Sequence, residues 1–69
     1  MKISARNALE GTIKEVHKGA TTAHVELELN GGQIVTASIT NESVDELGLQ
    51  KGAHAYAIIK SSDVMIAVK

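Results

Sequence analysis

Residues 22–40 read TAHVELELNGGQIVTASIT, and this stretch decides the fold. In its first half, polar and apolar residues alternate, with the polar ones at the even positions Thr22, His24, Glu26, Glu28 and Asn30. Alternation with a period of two is typical of a strand with one buried and one solvent-facing side. Asn30-Gly31-Gly32 has the composition of a tight turn, and alternation resumes after it with apolar residues at 35, 37 and 39. The stretch therefore predicts a β-hairpin.

One further strand precedes this hairpin, and one helix follows it. Residues from Leu9 to Val16 are strand-like, with a change of parity near Lys14 that indicates a β-bulge. From Asn41 to Leu47 the sequence predicts a helix of about two turns. Hydroxyls at Thr40 and Ser43 and a glycine directly after the segment are typical of helix ends.

The last part of the sequence contains two more predicted strands, Ala53 to Lys60 and Val64 to Val68, separated by the polar connection 61–63. The predicted order is therefore three strands, a short helix and two strands. This is the order of an all-β, five-stranded, OB-like Greek-key barrel with one short helix between strands 3 and 4. The sequence has no linker and no internal repeat, so we expect a single domain over residues 1–69.

Composition predicts that the chain associates with copies of itself. A chain of 69 residues buries only roughly 60% of the surface that its unfolded state exposes. The sequence has no cysteine for disulfides, and its one aromatic residue is Tyr56, so the core consists of Ala, Val, Ile and Leu. Small domains without disulfides or a structural metal commonly gain stability by association. We therefore expect a homo-oligomer.

Charge and hydrophobicity argue against several classes of partner. Seven basic residues against eight acidic ones give a net charge of −1, which provides no long-range attraction to nucleic acid or to an anionic membrane. A single aromatic residue offers no stacking platform for single-stranded nucleic acid. No apolar run approaches the roughly 20 residues that cross a bilayer, and the first residues lack the apolar stretch of a signal peptide. We therefore expect a cytoplasmic protein without a membrane or nucleic-acid partner.

The sequence also lacks the usual signs of a metal centre or an active site. His17, His24 and His54 are scattered without ligand spacing, so we expect no bare metal cation. Lys60 and Ser61 are adjacent, and adjacent strand residues point to opposite faces, which argues against a Ser/Lys catalytic pair. We expect a protein that is not an enzyme. One alternative is a structural or partner-interaction barrel, in which the charged residues lie on an ordinary surface. A second, less favoured alternative is a barrel that binds single-stranded nucleic acid.

Three polar segments are rich in hydrogen-bond donors. Ser4-Ala5-Arg6-Asn7 offers a guanidinium beside a hydroxyl, and Lys60-Ser61-Ser62-Asp63 offers an ammonium and hydroxyls. The hydroxyls of Thr40 and Ser43 lie where the helix begins. Each segment has an ordinary explanation, respectively a solvated chain end, a strand end with its turn, and a helix cap. Each also suits an oxyanion, which only accepts hydrogen bonds, and this shared chemistry favours an oxyanion site.

The same segments carry a resemblance to a known family. The pattern, in chain order, is Ile3-Ser4-Ala5-Arg6-Asn7, Gly11, Thr40, Ser43, Leu47-Gly48-Leu49, Gly52 and Lys60-Ser61-Ser62-Asp63-Val64. It resembles the molbindins, the Mop family of small proteins that bind molybdate and tungstate. The likeness runs from Ile3 to about Val68, and the Ser-Ala-Arg-Asn and late Lys-Ser elements are its most specific parts.

The resemblance implies a five-stranded barrel that assembles as a homohexamer, a trimer of dimers, with oxyanions held between subunits. It implies molybdate or tungstate as the ligand and intracellular molybdenum storage and homeostasis as the role, and we expect a freestanding storage protein. The family also has a second class of oxyanion site, which we assign to the turn Lys18-Gly19-Ala20. Carried over by position, the oxyanion-binding residues of the first class are Ser4, Ala5 and Arg6 of one subunit and Thr40, Ser43, Lys60 and Ser61 of a neighbour.

Overall fold

The computed structural model describes all 69 residues and contains one antiparallel sheet with one short helix. The strand order in the sheet is β3-β2-β1-β4, so β3 and β4 are its edges. The elements are β1 (Asn7–Lys18), β2 (Thr22–Leu29), β3 (Ile34–Thr40), α1 (Asn41–Leu47) and β4 (His54–Ile59), followed by a 3₁₀ turn at Ser61–Asp63.

The predicted central hairpin is confirmed as β2 and β3. Val25 lies opposite Ala37, and Leu27 lies opposite Val35, so the apolar positions of both strands share one face. In the connection, the Leu29 N–H donates to the carbonyl of residue 33 over 2.8 Å. A glycine at position 32 has φ of 90°, a left-handed conformation that other residues rarely adopt and that the turn requires.

The bulge predicted near Lys14 is confirmed and allows β1 to pair on both sides. The register between β1 and β2 shifts between Ile13 and Glu15, which leaves Lys14 as the extra residue. A bulge bends its strand and increases the local twist. Residues 7–12 of β1 pair with β4, whereas residues 11–18 pair with β2, so the bent strand curls the sheet around the core.

Gly11 lies where the two pairings of β1 overlap, opposite Leu29 of β2 and Ala55 of β4. A Cβ atom at this position would lie 3.0 Å from the Leu27 Cγ and closer still to the carbonyl oxygen of Glu28. Backbone atoms cannot move aside without disturbing the pairing of β1 with β2. The close approach of the two strands therefore requires glycine at this position.

The core is small and lies between the concave face of the sheet and α1. Its buried hydrophobic residues are Ile13, Ala23, Val25, Leu27 and Val44, of which only Val44 comes from the helix. All of these side chains are aliphatic, as the composition predicted. The helix thus covers the sheet through one buried valine, and most of the stabilising burial comes from the strands.

The helix has the bounds that the sequence predicted, and its two ends are capped by local contacts. Thr40 is the N-cap, and its hydroxyl oxygen accepts from the Ser43 N–H over 3.0 Å. At the other end, Gly48 adopts a left-handed conformation, with φ of 64°, and its N–H donates to the Asp45 carbonyl oxygen. The helices of the chain are all too short to cross a bilayer.

The prediction of a fifth strand is wrong. Val64–Val68 pairs with no other strand, and the 3₁₀ turn at Ser61–Asp63 replaces the predicted hairpin connection. Met65 is 93% exposed and Ile66 is 87% exposed, so the apolar residues that predicted a strand have no partner in this chain. Because a strand is stable only when it is paired, the structure has four strands, and the curled sheet remains open between β3 and β4.

Candidate functional site

A single concavity lies where the chain enters β1 and leaves β4. Because these strands are antiparallel, with Asn7 opposite Ile59, the residues before Asn7 and the residues after Ile59 reach the same end of the sheet. The concavity has a volume of about 320 Å³ and is lined by Ser4, Ala5, Arg6, Lys60, Ser61 and Ser62. We call it the terminal pocket.

Both walls of the terminal pocket present unpaired backbone donors. Residues 4–6 make no backbone hydrogen bond with the rest of the chain. On the other wall, the 3₁₀ turn is closed by hydrogen bonds from Asp63 N–H to the Lys60 carbonyl oxygen over 2.9 Å and from Val64 N–H to the Ser61 carbonyl oxygen over 3.3 Å. The amide N–H groups of Ser61 and Ser62 therefore have no backbone acceptor and are free to donate to a ligand.

The side chains of the pocket add positive charge and hydroxyl donors. Neither Arg6 nor Lys60 takes part in an ion pair within the chain. No carboxylate lines the pocket, and its only apolar lining residue is Ala5. Guanidinium, ammonium and amide groups only donate hydrogen bonds, and hydroxyls can also donate. The arrangement therefore fits a small anion that carries acceptor oxygens on all sides.

The pocket lacks the ligand groups that a bare metal cation requires. Transition metals in proteins bind imidazole, thiolate and carboxylate groups, and none of these lines the pocket. Elsewhere in the chain, no group of three or more histidine, aspartate or glutamate side chains lies close enough to hold a metal ion. The chemistry of the donor set therefore indicates an oxyanion as the ligand.

The structure brings together five of the seven residues that the sequence placed in the first class of site: Ser4, Ala5, Arg6, Lys60 and Ser61. It brings them together within one chain, whereas the resemblance implied that Arg6 and Lys60 belong to different subunits. Ser62 also lines the pocket and was not among the predicted site residues. Its hydroxyl lies in the donor-rich segment 60–63, and that is the sequence signal that could have identified it.

Thr40 and Ser43 do not line the terminal pocket. They lie at the start of α1, where the Thr40 hydroxyl accepts from the Ser43 N–H and donates to the Ser43 Oγ over 2.8 Å. These contacts match the ordinary explanation of the two residues as a helix cap. Within this chain the helix start and the terminal pocket are therefore separate features.

The turn assigned to a second class of site has several of its polar groups already paired. Lys18 Nζ lies 2.5 Å from the Asp45 carboxylate, and the Gly19 N–H donates to the Thr22 carbonyl oxygen over 2.8 Å. The Gly19 carbonyl oxygen accepts from Asn41 Nδ2 over 2.9 Å. In this chain Lys18-Gly19-Ala20 thus connects β1 to β2 and contacts α1 through Asp45 and Asn41. It presents fewer free donors than the terminal pocket.

Comparison with known proteins agrees with this fold. Residues 3–66 match the model of the TOBE domain. The chain is 52% identical to molybdenum-pterin-binding protein 1 of Clostridium pasteurianum, over 96% of this chain and 97% of that protein. Its structure resembles that of MopII from Clostridium pasteurianum with a TM-score of 0.91 and 48% identity, over 97% of this chain and 100% of that chain.

A second similar solved structure contains bound molybdate. It is the cytoplasmic molybdate-binding protein ModG with molybdate bound, which matches with a TM-score of 0.91 and 49% identity. The match covers 94% of this chain and 46% of that one. None of these names describes a catalytic activity. The chain therefore belongs to the TOBE domain family and, within it, to the molbindins of the Mop family.

Proposed function

We propose that this chain binds molybdate and tungstate in the terminal pocket and acts as a binding protein, not as an enzyme. The observation that carries the proposal is the lining of the pocket, which combines two cations, three hydroxyls and free amide N–H groups without any carboxylate. The names of the relatives, which describe binding of molybdenum-pterin or molybdate, support the same ligand.

The donor set also accounts for selection against phosphate. Molybdate is a dianion that only accepts hydrogen bonds, so donors on all sides satisfy it. At neutral pH phosphate carries a proton that needs an acceptor, and an unpaired polar group of this kind costs roughly 1–3 kcal/mol. Sulfate has the same charge as molybdate but is smaller, so donors placed for molybdate would have longer hydrogen bonds to it. We therefore expect phosphate to bind weakly and sulfate to bind at intermediate strength.

The biological role that we propose is storage of molybdenum in the cytoplasm and control of its free concentration. A protein that binds the oxyanion without altering it can hold the ion when it is abundant and release it by mass action when the free concentration falls. The description of ModG as a cytoplasmic molybdate-binding protein supports this compartment.

The surface of the chain supports assembly into an oligomer, for which we propose the homohexamer of the family. The chain exposes 5450 Å², whereas a compact monomer of 7.3 kDa exposes roughly 4,200 Å² by the usual scaling of surface with mass. Part of this excess lies in the apolar segment Val64–Val68, and Val68 is 92% exposed. The oxyanion would then lie between subunits, and Thr40 and Ser43 of a neighbour could complete the terminal pocket.

The proposed ligand predicts a selective rise in melting temperature. At a hundred times the dissociation constant, ligand binding stabilises the native state by about 2.7 kcal/mol. In a domain of this size that energy corresponds to a rise of roughly 10 °C or more. We expect this shift with molybdate and tungstate and little shift with phosphate at the same concentration, measured by circular dichroism. An equal shift with phosphate would identify a nonspecific anion effect.

The proposed assembly predicts that the exposed C-terminal segment is required for it. We expect the wild-type chain to be a hexamer at micromolar concentration and Ile66→Asp to give smaller species, because a charge in an apolar interface must be desolvated. Gln50→Asp is the matched control, since it adds the same charge at another exposed position, and we expect it to remain hexameric. Light scattering measures all three masses. A folded wild-type monomer of 7.3 kDa would contradict the prediction.

A further inference from the structure

Asn7 links the two walls of the terminal pocket without lining it. Its side-chain Nδ2 donates to the carbonyl oxygen of Ile59 over 3.1 Å, in a partly buried hydrogen bond between residues 52 positions apart. Asn7 directly follows Arg6, and Ile59 directly precedes Lys60. The bond therefore joins the positions next to the two cations of the pocket.

The segment before Asn7, residues 1–6, is not held to the rest of the chain by any hydrogen bond or ion pair of its own. Residues 1–6 lie outside every strand and helix, and none of them makes a backbone hydrogen bond, a side-chain hydrogen bond or an ion pair. The opposite wall is held by the hydrogen bonds within its own 3₁₀ turn. The position of Arg6 relative to Lys60 thus depends on how firmly β1 and β4 are joined at Asn7.

The backbone hydrogen bonds alone hold the ends of β1 and β4 together only weakly. The ladder between β1 and β4 ends with the pair Asn7 and Ile59, and terminal pairs of a ladder open more readily than central ones. The Asn7 side chain adds a hydrogen bond at this last pair, where the backbone ladder has ended. It therefore opposes separation of the strand ends.

We propose that Asn7 is a positioning residue of the oxyanion site, acting through this hydrogen bond on the placement of Arg6. The inference rests on the proposed function of the terminal pocket. When the bond is present, the free protein already holds Arg6 beside Lys60, and binding needs little ordering of the chain. When it is absent, the anion must itself order residues 4–6, and part of the binding energy is lost to that ordering.

The test measures the molybdate affinity of three variants by isothermal titration calorimetry. Asn7→Leu removes the donor at similar size, whereas Asn7→Gln keeps an amide donor. Gln50→Leu is the matched control, because it makes the same exchange of a side-chain amide for leucine at an exposed position outside the pocket lining. We expect Asn7→Leu to bind roughly three- to tenfold more weakly, the range for loss of one such bond. We expect Gln50→Leu to bind like the wild type and Asn7→Gln to recover part of the loss.

A second measurement reports on the bond without ligand. In ¹⁵N relaxation experiments on the free proteins, we expect the amides of residues 4–6 to become more mobile in Asn7→Leu and to be unchanged in Gln50→Leu. If Asn7→Leu does not fold, Asn7→Ala carries the same expectations. A wild type that does not bind molybdate overturns the proposed function, and the relaxation data alone then decide whether Asn7 holds the segment. A wild type that binds, with Asn7→Leu equal to it in affinity and mobility, overturns the role of Asn7.

Discussion

Arg6→Ala and Lys60→Ala are each expected to weaken molybdate binding at least tenfold while the chain stays folded and assembled. A hydrogen bond to a charged group contributes roughly 1.5–3 kcal/mol, and about 1.4 kcal/mol corresponds to a factor of ten in affinity. Both side chains are without ion-pair partners in the chain, so their removal leaves no charge unpaired. Titration calorimetry measures the affinities. Lys51→Ala is the control, because Lys51 is an exposed lysine outside the pocket lining.

Mixing the two variants distinguishes a pocket within one chain from a pocket shared by two. If Arg6 and Lys60 act together in one chain, as the terminal pocket places them, then every subunit of a mixed oligomer lacks one cation and no strong site returns. If they act from different subunits, as the family resemblance implied, some interfaces of the mixture regain both. Joint refolding with proof of subunit mixing, followed by molybdate titration, decides between the two arrangements.

Gly11→Ala is expected to destabilise the chain strongly. The added Cβ would meet the backbone carbonyl of Glu28 and the Leu27 Cγ, so β1 and β2 would have to separate. Overpacking of this kind costs roughly 1–3 kcal/mol or more, and a domain of this size has only about 3–5 kcal/mol from its core. We expect a mostly unfolded or strongly destabilised protein in thermal and urea denaturation.

Gly31→Ala is the matched control for this substitution. The nearest atoms to a Cβ at Gly31 belong to the flexible Gln33 side chain, the closest at 2.8 Å, and that side chain can move aside. We therefore expect a small change in melting temperature. A Gly11→Ala protein as stable as Gly31→Ala would show that β1 and β2 can separate at little cost, contrary to the structure.

Elements determined by local rules could be predicted from the sequence. The hairpin follows from alternation and a glycine turn, and the bulge at Lys14 follows from a change of parity. The helix bounds follow from Thr40 and Gly48 at its ends. The fifth strand could not be judged in this way, because Val64–Val68 has the composition of a strand but pairs with nothing in this chain. Pairing depends on a partner, which the composition of one segment does not reveal.

The site was predictable in its chemistry and less so in its geometry. The family resemblance identified Arg6 and Lys60, but their proximity within one chain follows from the register of Asn7 with Ile59, which the sequence does not specify. For Thr40 the sequence could not separate two uses of one hydroxyl, a helix cap and a ligand contact. The structure shows the cap. Ser62 belongs to the donor-rich segment that the sequence identified, but the family resemblance did not assign it to the site.

The position of the terminal pocket has a practical consequence for work on the protein. One wall of the pocket begins at Ser4, three residues after Met1. An affinity tag fused before Met1 would therefore begin close to the pocket. A polyhistidine tag would add groups that can themselves bind anions when protonated, so purification by ion exchange of an untagged chain is the sounder route to a dissociation constant.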